Sequence, residues 1–275
     1  MAVKIVTDST SDIPPELARE LDVAVVPLTV FFGEEAFRDG VDITHEEFFR
    51  RLTANDVFPR TTQPTAADFL EVYGPLVEQG HEIVSMHISG KLSGTMNSAR
   101  AARQEMADAR IELVDTELGS LAITLAVKAA AEAAQRGEPF ESVVNEARAA
   151  SASVELYVVL DTLEYLHRGG RIGKAQSLVG SLLSLKPILK LEDGEIHPHE
   201  KVRTRQKAVQ RLLEIASAGA PYKEIAVAHV TTPEEVARFT EHLASLTDAP
   251  VLVGEIGPVV GAYAGPRAVG VALRK

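Results

Sequence analysis

Short runs rich in Val, Ile and Leu recur along this chain, and they constrain its fold more than any other feature. They cover Lys4 to Thr7, Val23 to Val30, Glu82 to His87, Ile111 to Asp115, Glu155 to Leu160, Ile225 to Val230 and Val251 to Gly254. Helical patterns lie between most of them. Pro14 to Leu21 opens with Asp12 and two prolines as a helix start, Thr65 to Gln79 carries Asp68 three residues after a Thr cap, and Gly119 to Arg136 is long and Ala-rich. Alternation of strand and helix predicts an α/β protein, with largely parallel or mixed sheets flanked by helices. Aromatic residues make up only 5% of the chain and Trp is absent, so Val, Leu, Ile and Ala must fill the cores.

A length of 275 residues suits two modest domains. The best boundary follows the Ala-rich stretch ARAASAS, where the strand pattern ELYVVL begins, which divides the chain into 1–152 and 153–275. The second part reads as strand, short helix (Leu163 to Leu166), Gly/Arg turn, apolar segment Leu178 to Leu189, hairpin at Asp193-Gly194, basic helix and two further βα units. A ligand is expected in the cleft between the domains.

Charge and composition exclude several classes. The formal net charge of −11 disfavours a general nucleic-acid binder, which needs clustered cations. Without Cys there is no disulfide framework, thiolate nucleophile or Cys-based zinc site, and a reducing compartment fits. No apolar run approaches the roughly 18 residues of a membrane span, and the N-terminus does not read as a signal peptide, so a cytoplasmic protein is expected. His197 and His199 lie two apart on a strand pattern, but no third ligand stands at convincing spacing. Neither a metal nor a cofactor is expected.

The stretch from His87 to Ala99, HISGKLSGTMNSA, follows a strand and opens a helix. Unpaired amides at a helix start, joined by the hydroxyls of Ser93 and Thr95, suit an anion without any cationic side chain. The same stretch fails the patterns of a nucleophile elbow, a P-loop and a dinucleotide fold. Arg60 to Thr65, RTTQPT, offers more hydroxyls than one helix cap consumes, so Thr61 and Thr62 read equally as ligand contacts or as a capping loop. Asp8 and Ser9 follow the first strand, where α/β proteins place ligand-facing residues, whereas Asp12 reads as a helix cap. Arg171 lies in a Gly/Arg turn and Arg203 in the basic segment KVRTR, both suited to a phosphate or carboxylate. The Gly/Pro-dense segment from Gly257 to Ala268 predicts a fixed turn at the cleft.

Taken together, VTDSTSDIP, RTTQPT, SGKLSGTMNSA, YLHRGGRIG, KPIL with its hairpin, KVRTRQKA and IGPVVGAYAGP resemble the DegV family of bacterial fatty-acid-binding proteins, in order and over nearly the whole chain. The resemblance implies two α/β domains enclosing a long-chain fatty acid. Its carboxylate would be held by Thr61 or Thr62, with Ser93 and the Gly94 amide, and with the turn that carries Tyr263 at the site. It also implies a protein without catalytic machinery that presents the acid to a separate ATP-dependent fatty-acid kinase for acyl-phosphate formation, with Arg171 and Arg203 at the headgroup opening or the kinase-docking face. Many relatives have His where Tyr263 stands and Gly where Arg267 stands. Rival readings are a small-molecule hydrolase or phosphotransferase using Asp8 or Asp12 with the Ser93 loop, and a sugar- or peptide-binding module. For a fatty acid, burial of about sixteen carbons at roughly 0.8 kcal/mol each offers on the order of 10 kcal/mol before ordering is subtracted. Affinity then comes from the tail and orientation from the head.

Overall fold

The computed structural model describes residues 2–54, 57–181, 185–230 and 233–275. Strand β1 (Val3–Asp8) runs through a 3-10 turn (Ser9–Ser11) into α1 (Pro15–Glu20) and β2 (Val23–Val26). A hairpin of β3 (Thr29–Phe32) and β4 (Glu35–Arg38) precedes α2 (His45–Ala54), β5 (Arg60–Thr62) and α3 (Ala66–Glu78). Then come β6 (Glu82–His87), α4 (Thr95–Glu105), β7 (Ile111–Asp115), α5 (Leu121–Gln135) and α6 (Phe140–Ser153). The remainder comprises β8 (Val154–Val159), α7 (Glu164–Arg168), β9 (Lys186–Glu192), β10 (Glu195–Val202) and α8 (Arg205–Ala218), followed by β11 (Glu224–His229), α9 (Pro233–Leu243), β12 (Leu252–Glu255), α10 (Pro258–Ala264) and β13 (Val269–Arg274).

The strands form a four-stranded sheet of order β2-β1-β6-β7, a six-stranded sheet of order β10-β9-β8-β13-β11-β12 and a small sheet β4-β3-β5. All pairings in the first are parallel. In the second only β11 and β12 pair in parallel, because β13 returns antiparallel between β8 and β11. The fold is therefore α/β with one parallel sheet, one mixed sheet and a small antiparallel one, in keeping with the expected largely parallel or mixed sheets flanked by helices.

Local chemistry explains both agreements and departures. Thr65 and Asp68 form a reciprocal capping box, with Thr65 N–H donating to Asp68 Oδ2 at 2.6 Å and Asp68 N–H donating to Thr65 Oγ1 at 3.2 Å. Since Thr65 is the cap, Thr61 and Thr62 are free to extend as β5, which leaves the ligand-contact alternative for them and not the capping one. Asp193 and Gly194 both have positive φ, 50° and 71°, as a two-residue hairpin turn with the strand twist requires. The run Val23 to Val30 divides into β2 and β3, which belong to different sheets. Pro27 stands between them and lacks the N–H that a continuous ladder needs. The Gly/Pro-dense segment expected as a turn contains α10, with Pro258 at its first position. Residues 182–184 of the apolar segment Leu178 to Leu189 lie outside the described residues.

Period-2 alternation sorts β8 between two environments. Tyr157 and Val159 pack with Ile188, Leu212, Val227 and Phe239 beneath α8 and α9. The even-numbered Leu156, Val158 and Leu160 face the opposite way, towards a cavity. Helix α5 buries Leu121, Ala122, Ile123, Leu125, Ala126 and Val127 in a core that also contains Ile5 and Val84 of the first sheet and Ala226 and Ala272 of the second. Such all-round apolar character is what a helix enclosed between two sheets needs. No helix among the described residues is long and apolar enough to cross a membrane.

Candidate functional site

A cavity of about 470 Å³ opens between the two sheets, within the ~300–1,000 Å³ typical of small-molecule sites. Its interior is aliphatic. Leu156 and Val158 of β8 and Leu160 just beyond it form one wall with Leu191, Ala228 and Gly270 from neighbouring strands, and Ile256, Val259 and Val260 line it from the α10 segment. Its polar lining comes from Thr61, Thr62, Gln63, Ser93, Arg171 and Tyr263, and from Thr10 and Ser120.

Separate segments bring those polar residues together. Strand β5 pairs with β3 and thereby fixes Thr61 and Thr62. Thr61 and Tyr263 share a hydrogen bond between their hydroxyls. The Ser93 hydroxyl lies 2.8 Å from that of Thr95 and accepts from the Thr95 amide at 3.3 Å, while the Gly94 N–H has no partner among the described residues. Gly94 has an ordinary φ of −77°, so the backbone does not demand glycine there. The Gln63 amide does: its oxygen would lie 1.8 Å from a Cβ at position 94. Gln63 in turn donates to Ser98 Oγ at 3.0 Å, tying β5 to α4.

Arg171 closes this end. Its Nε donates to the Leu92 carbonyl at 3.1 Å and Nη1 to the Gly169 carbonyl at 2.7 Å, while its guanidinium carbon lies 5.1 Å from the Tyr263 ring centre. The ring also explains Gly169, since a Cβ there would meet ring carbons at 2.4 Å. An exposed cation, a free amide and several hydroxyls suit a carboxylate or phosphate headgroup. The aliphatic interior suits an acyl tail.

The structure does not bring every expected residue to the cavity. Asp8 is fully buried, with Oδ1 accepting from the Thr10 amide at 3.0 Å and from the Thr10 hydroxyl, and Oδ2 from His87 Nδ1 at 2.9 Å and the Ile88 amide at 3.1 Å. A carboxylate so occupied has no oxygen left for a ligand. Ser9 accepts from the Leu28 amide at 3.0 Å, and Thr95 is buried behind Ser93. Arg203 is exposed beyond the end of β10 and does not line the cavity. Asp12 is not the cap of α1: it sits at φ 53° and its carboxylate accepts from Ser120 and from the Gly257 amide at 3.0 Å. Arg267 has a φ of 63°, a region that favours glycine, and its Nε lies 3.5 Å from Asp161 Oδ2.

Gln63, Ser120, Thr10 and the even-numbered face of β8 were not singled out in the sequence as contacts. Only the alternation of Leu156, Val158 and Leu160 carried a local signal. A Ser-His-Asp relay also came to light, with Ser85 Oγ 2.6 Å from His87 Nε2 and His87 Nδ1 2.9 Å from Asp8. All three residues are fully buried, Ser85 accepts from Tyr73 at 2.7 Å, and none lines the cavity. A substrate has no path to that serine, so the relay gives a hydrolase no nucleophile.

Comparison with known proteins agrees with this geometry. A family model described as an uncharacterised protein of the DegV family matches residues 2–275. A DegV domain-containing protein of Streptomyces coelicolor is 39% identical over 276 residues, covering 98% of each chain. A DegV family protein from Thermus thermophilus, whose structure is described as showing fatty-acid binding, superposes with a TM-score of 0.92 at 37% identity, covering all of both chains. A stearic-acid-binding protein from Eubacterium ventriosum superposes with a TM-score of 0.90 at 30% identity, covering 99% of this chain and 98% of that one. With the family model matching residues 2–275, from the first strand to the last, the protein belongs to the DegV family.

Proposed function

We propose that the protein binds a long-chain fatty acid, with the tail in the aliphatic cavity and the carboxylate at the Thr61, Thr62, Ser93 and Gly94 end, and that it presents the acid to a separate ATP-dependent fatty-acid kinase. The carrying observation is a cavity lined mostly by Leu, Val and Ile, into which Thr61, Thr62, Ser93, Arg171 and Tyr263 also project. Structures of relatives described as fatty-acid-binding proteins support the ligand class. Thr62 and Ser93 can donate hydroxyls and Gly94 its free amide, while Arg171 is held back by two carbonyls and leaves the head loosely clamped. Loose clamping suits hand-over. Arg171 and Arg203 are assigned to partner contact, and the chain is assigned two domains, 1–152 with the four- and three-stranded sheets and 153–275 with the six-stranded one. On this reading the protein is a binder and not an enzyme.

Mass spectrometry of an organic extract of the purified protein tests the ligand. A long-chain fatty acid near one per chain is expected, and delipidated protein should gain thermal stability on rebinding it. An extract free of acyl chains, with no thermal shift on adding palmitate, overturns the reading. Arg171→Ala and Arg203→Ala test the hand-over, since each should retain lipid but slow acyl-phosphate formation by a cognate kinase.

A further inference from the structure

Beneath the cavity lies a pair of carboxyls that a ligand in the cavity does not reach. Asp12 Oδ2 accepts from the Ser120 hydroxyl and Oδ1 from the Gly257 amide at 3.0 Å. Asp39, 5% exposed, faces the Ser9 hydroxyl and the Val259 amide. These contacts join three segments of the cavity wall, which carry Thr10, then Gly119 and Ser120, then Val259 and Val260.

Gly257 reports how closely the two carboxyls approach. Its φ of −67° is open to any residue, so glycine is not required by the backbone. A Cβ at that position would lie 2.8 Å from Asp12 Oδ1 and 3.4 Å from Asp39 Oδ1, so both carboxyls crowd one point. Asp39 Oδ2 is buried without a hydrogen-bond partner among the described residues. A proton on one carboxyl would turn an orphaned acceptor into a donor towards its neighbour. The surroundings favour that proton. Asp12 is faced by Ser120, Asp39, the Gly257 amide and Asp8, and Asp39 by Ser9, the Val259 amide and Asp8: hydroxyls, amides and further carboxyls.

We propose that Asp12 and Asp39 form a proton-dependent staple under the cavity. With Asp39 protonated the three wall segments are held together, and as Asp39 loses its proton beside Asp12 and Asp8 the buried charge parts the segments and speeds ligand release. Burial, aided by the neighbouring carboxyls, pushes Asp39 up to about 7 and Asp12 well above the usual carboxylate range. The opening therefore falls across neutral pH. The effect on lipid rests on the fatty-acid-binding reading, whereas the staple itself does not.

Two measurements separate those claims. In ligand-free protein, hydrogen exchange corrected for intrinsic rates should show the segments around Ser120 and Gly257–Val260 losing protection by about threefold or more between about pH 6 and pH 8.5. Asp39→Asn should abolish most of that change, and Asp12→Asn serves as the second variant should the first fail to fold. In palmitate-loaded protein, transfer to phosphatidylcholine vesicles should accelerate over the same range in the parent and stay flat in the Asn variant. Protection independent of pH in the parent, or equally pH-dependent in parent and variants, overturns the staple. Absence of palmitate binding with pH-dependent protection intact overturns the ligand reading and supports the staple.

Discussion

The mouth of the cavity and the buried relay at Asp8 are built from the same kinds of residue and behave in opposite ways. At the mouth, Thr62 is exposed and, among the described residues, the Gly94 amide has no partner and the Ser93 hydroxyl bonds only to Thr95. In the relay, Tyr73, Ser85, His87 and Asp8 are wholly buried, and each hands a hydrogen bond to the next. Hydroxyls and carboxylates after a parallel strand thus do not by themselves mark a ligand site. What marks it is polar capacity left unspent beside an apolar hollow. The spent set instead fixes the wall, since Thr10 and Ile88, both bound to Asp8, line the cavity.

That contrast breaks most visibly under truncation. Asp8→Ala strands the His87 imidazole and the amides of Thr10 and Ile88 in the interior, and chemical denaturation should show a loss of about 3–5 kcal/mol. Protein that still folds should bind palmitate with affinity scaled by the folded fraction alone. A stability unchanged within error, or a selective loss of binding, would erase the distinction between relay and mouth.

Asp39 gives a smaller effect with a defined pH sign. Its folded value of about 7 lies above the ~3.9 of an unfolded Asp, so its contribution is complete below about pH 4 and is lost as pH rises through 7. Asp39→Asn removes that loss. Thermal or urea unfolding should show the variant gaining roughly 2–4 kcal/mol relative to the parent at about pH 8, with little or no gain near pH 4. A gain that does not vary with pH would mean that the carboxyl keeps its proton, or lacks it, throughout.

What the sequence disclosed follows the range of the interactions. The capping box at Thr65 and the Asp193-Gly194 turn depend on neighbours a few residues away, and the strands around Lys4 and Glu82, though they pair across the chain, carry their own local apolar runs. Strand β13 lies outside the apolar runs first recognised, and its insertion between β8 and β11 is decided by pairing across the chain. Asp8 and Asp12 were misplaced for the same reason: their partners include His87, Ser120 and Gly257. The hydroxyl-rich loops at Thr61 and Ser93 were legible because their excess over capping needs is local. Gly94 and Gly257 add a further signal, since both have ordinary φ and are glycine because a distant side chain presses against them.

Ser93→Ala sharpens the comparison from the other side. The hydroxyl bonds only within its own turn and is partly exposed, so water can replace it in the empty protein. Unfolding should change by less than about 0.5 kcal/mol, whereas palmitate binding should weaken by roughly 1–3 kcal/mol and binding of the corresponding fatty alcohol by less. Equal losses for acid and alcohol would place the carboxylate elsewhere.

Tyr263→Phe yields the smallest change and the finest distinction. The phenol oxygen bonds to Thr61 while the ring supports Arg171 and fills the space that Gly169 leaves, so the substitution removes one hydrogen bond and keeps the packing. Thr61 is only half-buried and can rehydrate, which limits the expected stability loss to about 0.5–1.5 kcal/mol. Binding then shows what the phenol serves. A drop in palmitate affinity of similar size means that Tyr263 donates to the carboxylate itself. An affinity that holds or rises means that Tyr263 competes with the ligand for the Thr61 hydroxyl. A histidine at this position would add an imidazole that titrates between about pH 6 and 8. Calorimetric titration of parent, Tyr263→Phe and Tyr263→His with palmitate across that range separates the cases, and a pH-dependent parent would have to draw its dependence from the carboxyl pair below the cavity.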